Sequence, residues 1–175
     1  MQSKLLHKVN KSGIAGKLYD WLGGFLHDRS QSLRVNNVNS KSSNVLSGVS
    51  HGCVLGPILF FIFINDICSV SDNHNVSVKL FSDDIKLYSF IDTNAGYSSL
   101  QNHLNLFCTW SLFWQLGLSR IKYITLSLNS STCSPCYSVD STLLNNVSSY
   151  NDLGVIEDHP LKFDCSIDQM YSKVN

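Results

Sequence analysis

The stretch Val78-Lys79-Leu80-Phe81-Ser82-Asp83-Asp84-Ile85-Lys86-Leu87-Tyr88 sets two adjacent carboxylates between two short β-forming runs. Val78 and Leu80 alternate with other positions before the pair, and Ile85 and Leu87 do so after it, the period of two expected of strands half-buried on a sheet. Neighbouring side chains on one straight strand point to opposite faces, so consecutive aspartates reach one site only if the chain turns at or beside them. The stretch therefore predicts a hairpin with acid at its tip. A carboxylate pair repels itself, and a bound divalent cation, magnesium first, is the simplest relief. A plain polar turn accounts for the same dipeptide, because Asp is an ordinary turn residue.

Length and composition set the frame around that hairpin. With 175 residues and 43% hydrophobic content, the chain is long enough for one core, and one domain with no second is the expectation. Net charge is zero, yet residues 1–50 carry Lys4, Lys8, Lys11, Lys17, Arg29, Arg34 and Lys41 against Asp20 and Asp28 alone, a local excess of +5 that the rest of the chain balances. A basic half facing an acidic half that holds Asp83 and Asp84 suits a polyanion guided to a metal site; a solvated charged face is the plainer alternative.

The segment from Met1 has no apolar signal core, so the chain reads as intracellular rather than secreted. No membrane span is expected either. The apolar run from Val54 to Ile64, broken by Gly56 and Pro57, is shorter than the roughly 20 residues a bilayer-crossing helix needs. The six cysteines then read as reduced thiols. Cys133-Ser134-Pro135-Cys136 has the spacing of a zinc knuckle, but its downstream partners, His159 and Cys165, form no second close pair of the usual kind, and a proline-containing turn is the preferred reading.

In chain order, Leu5, Leu6, Val9, Ile14, Leu18, Trp21, Leu22, Phe25 and Leu26 fall at helical spacings interrupted by Ser12-Gly13, predicting two amphipathic helices between Lys4 and Arg29. Leu33-Arg34-Val35 and Val45-Leu46 read as strands around a loop from Asn36 to Asn44, where Arg34 and Lys41 could meet phosphates or serve only solubility. A glycine-bearing loop from Ser47 leads to a helix from Pro57 to about Ile67, apolar on all sides and so expected to pack on every face. A further helix is expected from Tyr97 to Leu116, with Leu100, Leu104, Phe107, Ser111 and Trp114 on one stripe. Ile124–Leu128, Cys136–Leu143 and Tyr150–Ile156 carry strand signals, and Asp164–Val174 reads as a short helix.

At this point the residues resemble a known family, the reverse transcriptase domain of non-LTR retrotransposons. Ser47-Gly48-Val49-Ser50-His51-Gly52-Cys53-Val54-Leu55-Gly56-Pro57 is similar to that family's Gly-Val-Pro-Gln-Gly-Ser-Val-Leu-Gly-Pro loop, and Phe81-Ser82-Asp83-Asp84-Ile85-Lys86-Leu87-Tyr88 to its Phe-Ala-Asp-Asp-Thr-Lys-Leu-Tyr. Trp114-Gln115-Leu116 with Lys122, and Tyr150-Asn151-Asp152-Leu153-Gly154-Val155, resemble two later motifs in the family's order.

The resemblance implies an α+β fold: a polymerase palm-like antiparallel sheet packed on helices, with part of the fingers. It implies an RNA-directed DNA polymerase that uses magnesium or manganese and takes an RNA template, a DNA primer and a deoxynucleoside triphosphate. Asp83 and Asp84 would be the metal ligands and catalytic acids. His51 and Gly52 would face the incoming nucleotide and template, and Lys122 the pyrophosphate. Arg34 and Lys41 would be nucleic-acid backbone contacts.

Departures accompany it. The family's third carboxylate is expected just ahead of Met1 and its thumb after the last residue, so the chain reads as truncated at both ends and is not expected to extend a primer alone. Ser50-His51 stands for the family's Pro-Gln, Ser82 for its Ala, and Tyr123 for the Cys after the lysine. The rival reading is a catalytically inactive retrotransposon remnant that at most binds nucleic acid.

Overall fold

The computed structural model describes residues 2–50, 52–70, 75–91, 94–119, 121–126 and 136–174. Helices and small β ladders alternate, an α+β arrangement. α1 (Gln2–Lys11) and α2 (Lys17–Leu26) break where Ser12-Gly13 interrupts the apolar period. Leu5, Leu6 and Val9 of α1 meet Leu22 and Leu26 of α2 and Leu59 and Phe63 of α3 (Leu55–Ile64) in one buried cluster.

Residues 29–45 form an antiparallel arm. β1 (Ser30–Gln31) pairs with β4 (Ser43–Asn44), and β2 (Arg34–Val35) with β3 (Val38–Asn39). Asn36 and Asn37, both left-handed at φ 49° and 63°, turn its tip. Two expectations are corrected here. The return strand runs through Ser43–Asn44 instead of Val45-Leu46, and the segment read as a loop contains β3. An Asn-Asn pair accepts the two positive φ angles of a tight hairpin turn, so the Asn-rich stretch is turn chemistry inside a ribbon.

α3 also departs from expectation. It begins two residues before Pro57, which sits in the first turn where a missing N–H leaves no bond unmade, and it gives way at Asn65–Ser69 to a 3-10 helix. It is not packed on every face: Ile58 is 52% and Phe61 58% exposed. Leu59 and Phe63 enter the first cluster, while Ile64 turns to a second one with Ile67, Phe107 and Trp110. Ile58 and Phe61 are three positions apart on the helix, so both fall on the side away from those partners.

β5 (Ser77–Phe81) and β6 (Asp84–Tyr88) form the central hairpin, followed by α4 (Asn94–Trp114). β7 (Lys122–Tyr123) pairs in parallel with β10 (Asn145–Asn146), so the expected strand at Ile124–Leu128 lies earlier; residues 124–126 are outside any strand and 127–128 lie outside the described residues. The signal at Cys136–Leu143 is a hairpin, β8 (Ser138–Val139) with β9 (Thr142–Leu143), and that at Tyr150–Ile156 is another, β11 (Ser149–Asp152) with β12 (Val155–Asp158). α5 (Asp164–Val174) closes the chain as expected. Among the described residues the strands pair only in twos, without a continuous sheet. No helix there is long and apolar enough to cross a membrane.

Candidate active site

Alternation in the sequence becomes two distinct faces in the β5–β6 hairpin. Leu80 lies opposite Ile85 and Val78 opposite Leu87, and these four pack against Ile64, Ile67, Phe107 and Trp110. Ser77, Lys79, Phe81, Asp84, Lys86 and Tyr88 therefore share the outer face. Because Phe81 pairs with Asp84, Ser82 and Asp83 are the two-residue turn. Ser82 takes a left-handed φ of 54°, a conformation that strains most side chains and that such a turn usually gives to glycine. The outcome is Asp83 at the tip and Asp84 one step down the outer face, both exposed. Among the described residues, no hydrogen bond or ion pair occupies either carboxylate.

A hard oxygen pair with no partner among the described residues fits magnesium or manganese, since magnesium is commonly held by one or two carboxylates together with substrate phosphates. Among the described residues, no group of three or more His, Cys, Asp or Glu gathers to hold a metal. Cys136 is a free, exposed thiol, and Cys133 lies outside the described residues, as does the sequence-level knuckle it would complete.

The outer face also carries an ion-pair set that spacing in the sequence does not reveal. Lys86 lies opposite Lys79, a like-charge pair that opposes the hairpin. Asp152 of β11 and Glu157 of β12 answer it. Asp152 hydrogen-bonds the Lys86 ammonium, and the Glu157 carboxylate lies 3.6 Å from it. Burial pulls the Lys86 ammonium down, but the Asp152 hydrogen bond and the fields of both carboxylates outweigh it and leave its pKa raised. The register Asp152↔Val155, with Leu153 (φ 49°) and Gly154 (φ 95°) at the tip, brings Asp152 and Glu157 to one face of their hairpin.

Beneath the hairpin, Lys8 is 4% exposed and does not belong to a basic surface. Its ammonium lies 2.6 Å from Asp66, hydrogen-bonds the Phe63 carbonyl and sits over the rings of Phe63, Trp110 and Trp114, 3.8 Å from the last centroid. Desolvation pushes its pKa below the ordinary lysine value against the opposing pull of Asp66. Trp110 donates its indole N–H to the same Asp66 oxygen at 3.2 Å. The charge expected to draw a polyanion instead ties α1 to α3 and α4.

The other sequence-derived candidates are scattered. Gly52 holds φ 77° in the loop ahead of α3, and His51 beside it lies outside the described residues. That loop is packed closely onto the helix. A Cβ on Gly56 would come within 2.9 Å of the Ser50 carbonyl oxygen, while the Cys53 thiol donates to that carbonyl at 2.9 Å and accepts from the Gly56 N–H at 3.2 Å. Arg29, counted in the sequence only as a charge, bonds the Leu26 carbonyl, the Ser50 hydroxyl and the Gly48 carbonyl, joining the arm to this loop. Arg34 donates to Asn37 at 3.2 Å across the arm's tip. Lys122 and Lys41 are exposed, and Tyr123 packs edge-on to Tyr137 with ring centroids 5.2 Å apart, fixing the strand that carries Lys122. Among the described residues, no hydrogen bond, ion pair or ring contact joins Arg34, Lys41, Gly52 or Lys122 to Asp83 or Asp84.

Comparison with known proteins agrees with the motifs. Residues 2–156 match the family model described as reverse transcriptase (RNA-dependent DNA polymerase). The chain is 26% identical over 170 residues to the RNA-directed DNA polymerase from mobile element jockey of Drosophila funebris, and 27% over 167 residues to that of Drosophila melanogaster. It is 30% identical over 168 residues to the probable RNA-directed DNA polymerase from transposon BS of Drosophila melanogaster. Each alignment covers 91% of this chain and 18% of the relative, so the chain spans under a fifth of the curated relatives it matches. No solved structure matches it. With a family model over most of its length and an acid hairpin in the matching motif, the chain belongs to the reverse transcriptase (RNA-dependent DNA polymerase) family.

Proposed function

We propose that this chain supplies the metal-binding hairpin of an RNA-directed DNA polymerase, in which a primer 3′-hydroxyl attacks the α-phosphate of a deoxynucleoside triphosphate paired to an RNA template. The observation that carries the reading is the turn itself. Asp83 and Asp84 project from a hairpin whose opposite face is packed on helices, so both carboxylates are exposed without a protein partner among the described residues and on a backed support. Asp83 and Asp84 would hold the cation. Bound there, a divalent ion would neutralise phosphate charge and favour the ionised attacking hydroxyl. The chain's own work is to hold two oxygen donors at a fixed separation from a buried base, which limits the reorganisation required when charge develops.

Around that centre, His51 and Gly52 are proposed for the nucleotide and template side and Lys122 for the pyrophosphate, with Arg34 and Lys41 on the nucleic-acid backbone. The hairpin on its helices is the part of a palm that this chain would contribute, and the arm of residues 29–45 part of the fingers.

The test is Mn2+ binding to the full chain, measured by electron paramagnetic resonance of the free ion, beside binding of an RNA–DNA hybrid over a range of salt. Asp83→Asn should weaken Mn2+ binding by about tenfold or more, as loss of a direct ligand should exceed loss of an outer-shell partner. Hybrid binding should fall steeply with salt and change little in that variant. Mn2+ binding that ignores Asp83→Asn overturns the metal assignment. A primer-extension assay on an RNA template with the same pair of proteins reads whether the chain alone makes product that depends on Asp83.

A further inference from the structure

Lys86 poses a problem for any cation at Asp84. The two residues are alternate positions of β6, so their side chains leave the same face with Cα atoms about 7 Å apart. A lysine stem is long enough to span that distance, and its ammonium would neutralise the carboxylate in place of a metal. Lys79, directly across from Lys86, offers no acid to hold it elsewhere and repels it instead.

We propose that Asp152 and Glu157 are positioning residues that keep Asp84 available: they hold the Lys86 ammonium against the β11–β12 hairpin and away from the metal ligand. This rests on reading Asp84 as a ligand. Three observations converge on it. Asp152 bonds Lys86 directly, with Glu157 3.6 Å from the same nitrogen. The tip residues Leu153 and Gly154, both at positive φ, fold the hairpin so that the two acids present one face. That hairpin is itself held from behind, where the Ile156 N–H donates at 3.3 Å to the buried hydroxyl of Ser166 on α5. The acids thus reach the outer face of β6 from a segment 66 residues further along the chain. Their effect on chemistry is indirect, since neither is assigned a contact with metal or nucleotide.

Two measurements on the full chain test it. In the metal-free protein at fixed neutral pH, the ¹³C carboxylate resonance of Asp84 should shift when Asp152→Asn and Glu157→Gln are combined, as Lys86 turns to it. It should return when Lys86→Met is added. In the Mn2+ titration, the Asp152→Asn, Glu157→Gln chain should bind about fivefold more weakly, the ratio set by a strong surface ion pair. Adding Lys86→Met should restore the affinity. A resonance that does not move overturns the proposal whether or not metal binds. So does a loss of Mn2+ affinity that Lys86→Met fails to rescue, because the acids would then act through the fold. If the resonance moves and returns while Mn2+ binding ignores Asp83→Asn, the ion-pair exchange stands and it is the metal assignment that fails.

Discussion

The arm of residues 29–45 and the acid hairpin of residues 77–88 are both antiparallel ribbons turned by two residues, yet they are held by opposite means. In the acid hairpin one face is packed and half-buried: Val78, Leu80, Ile85 and Leu87 rest on the buried cluster of Ile64, Ile67, Phe107 and Trp110. In the arm every strand residue is exposed, including Val35 at 66% and Val38 at 71%. The arm depends on its turn, its ladder and the Arg29 bonds at its base. A two-stranded ribbon is marginal in water without a packed face, so the contrast separates a rigid support for carboxylates from a limb free to adapt to a partner.

The sharpest way to break that contrast is to hollow the cluster beneath the acids. Ile67 is 0% exposed, and Ile67→Ala should cost about 3 kcal/mol in urea unfolding, whereas Val35→Ala in the arm should stay within about 0.5 kcal/mol. Equal losses would mean the arm is packed after all. Next in size is Arg29→Ala. The Arg29 carbonyl accepts from the Val45 N–H at 2.8 Å, and releasing its side chain should speed exchange of that amide about tenfold while the amides of Lys86 and Tyr88, which the register places at hydrogen-bonded positions of the acid hairpin, keep their protection. Slower exchange in both ribbons, or faster in both, would deny the arm its separate anchorage.

The smallest effect lies in the turns. Ser82 and Asn37 both hold positive φ, but Asn tolerates that region and Ser does so less readily. Ser82→Gly should raise stability by up to about 1 kcal/mol and Asn37→Gly by only a few tenths. Matching gains would show the acid turn to be no more strained than the arm's.

Local features were legible in the sequence for physical reasons. The period-two pattern around Asp83-Asp84 placed a hairpin with acid at its tip, because alternation and turn chemistry are properties of neighbours along the chain. Helix periodicity located α1, α2, α4 and α5 nearly to their ends. Where patterns were short the reading slipped: the arm's return strand, the strand at Lys122–Tyr123 and two hairpins read as single strands all involve ladders of two to four residues. Uniform apolarity misled in the other direction, because a run with no polar face gives no sign of which side of α3 will find a partner, and Ile58 and Phe61 did not.

By itself, the sequence determined the family, the acid pair and the turn that presents it, since each is written in contiguous residues and their order. Which charges matter was decided only by the tertiary structure. It took Lys8 out of the basic surface and buried it among Phe63, Trp110 and Trp114, made Arg29 the anchor of the arm, and joined Lys86 to Asp152 and Glu157 across most of the hairpin-to-α5 segment. The reason is that charge interactions fall off with distance in space and with solvent access, and neither is encoded in spacing along the chain.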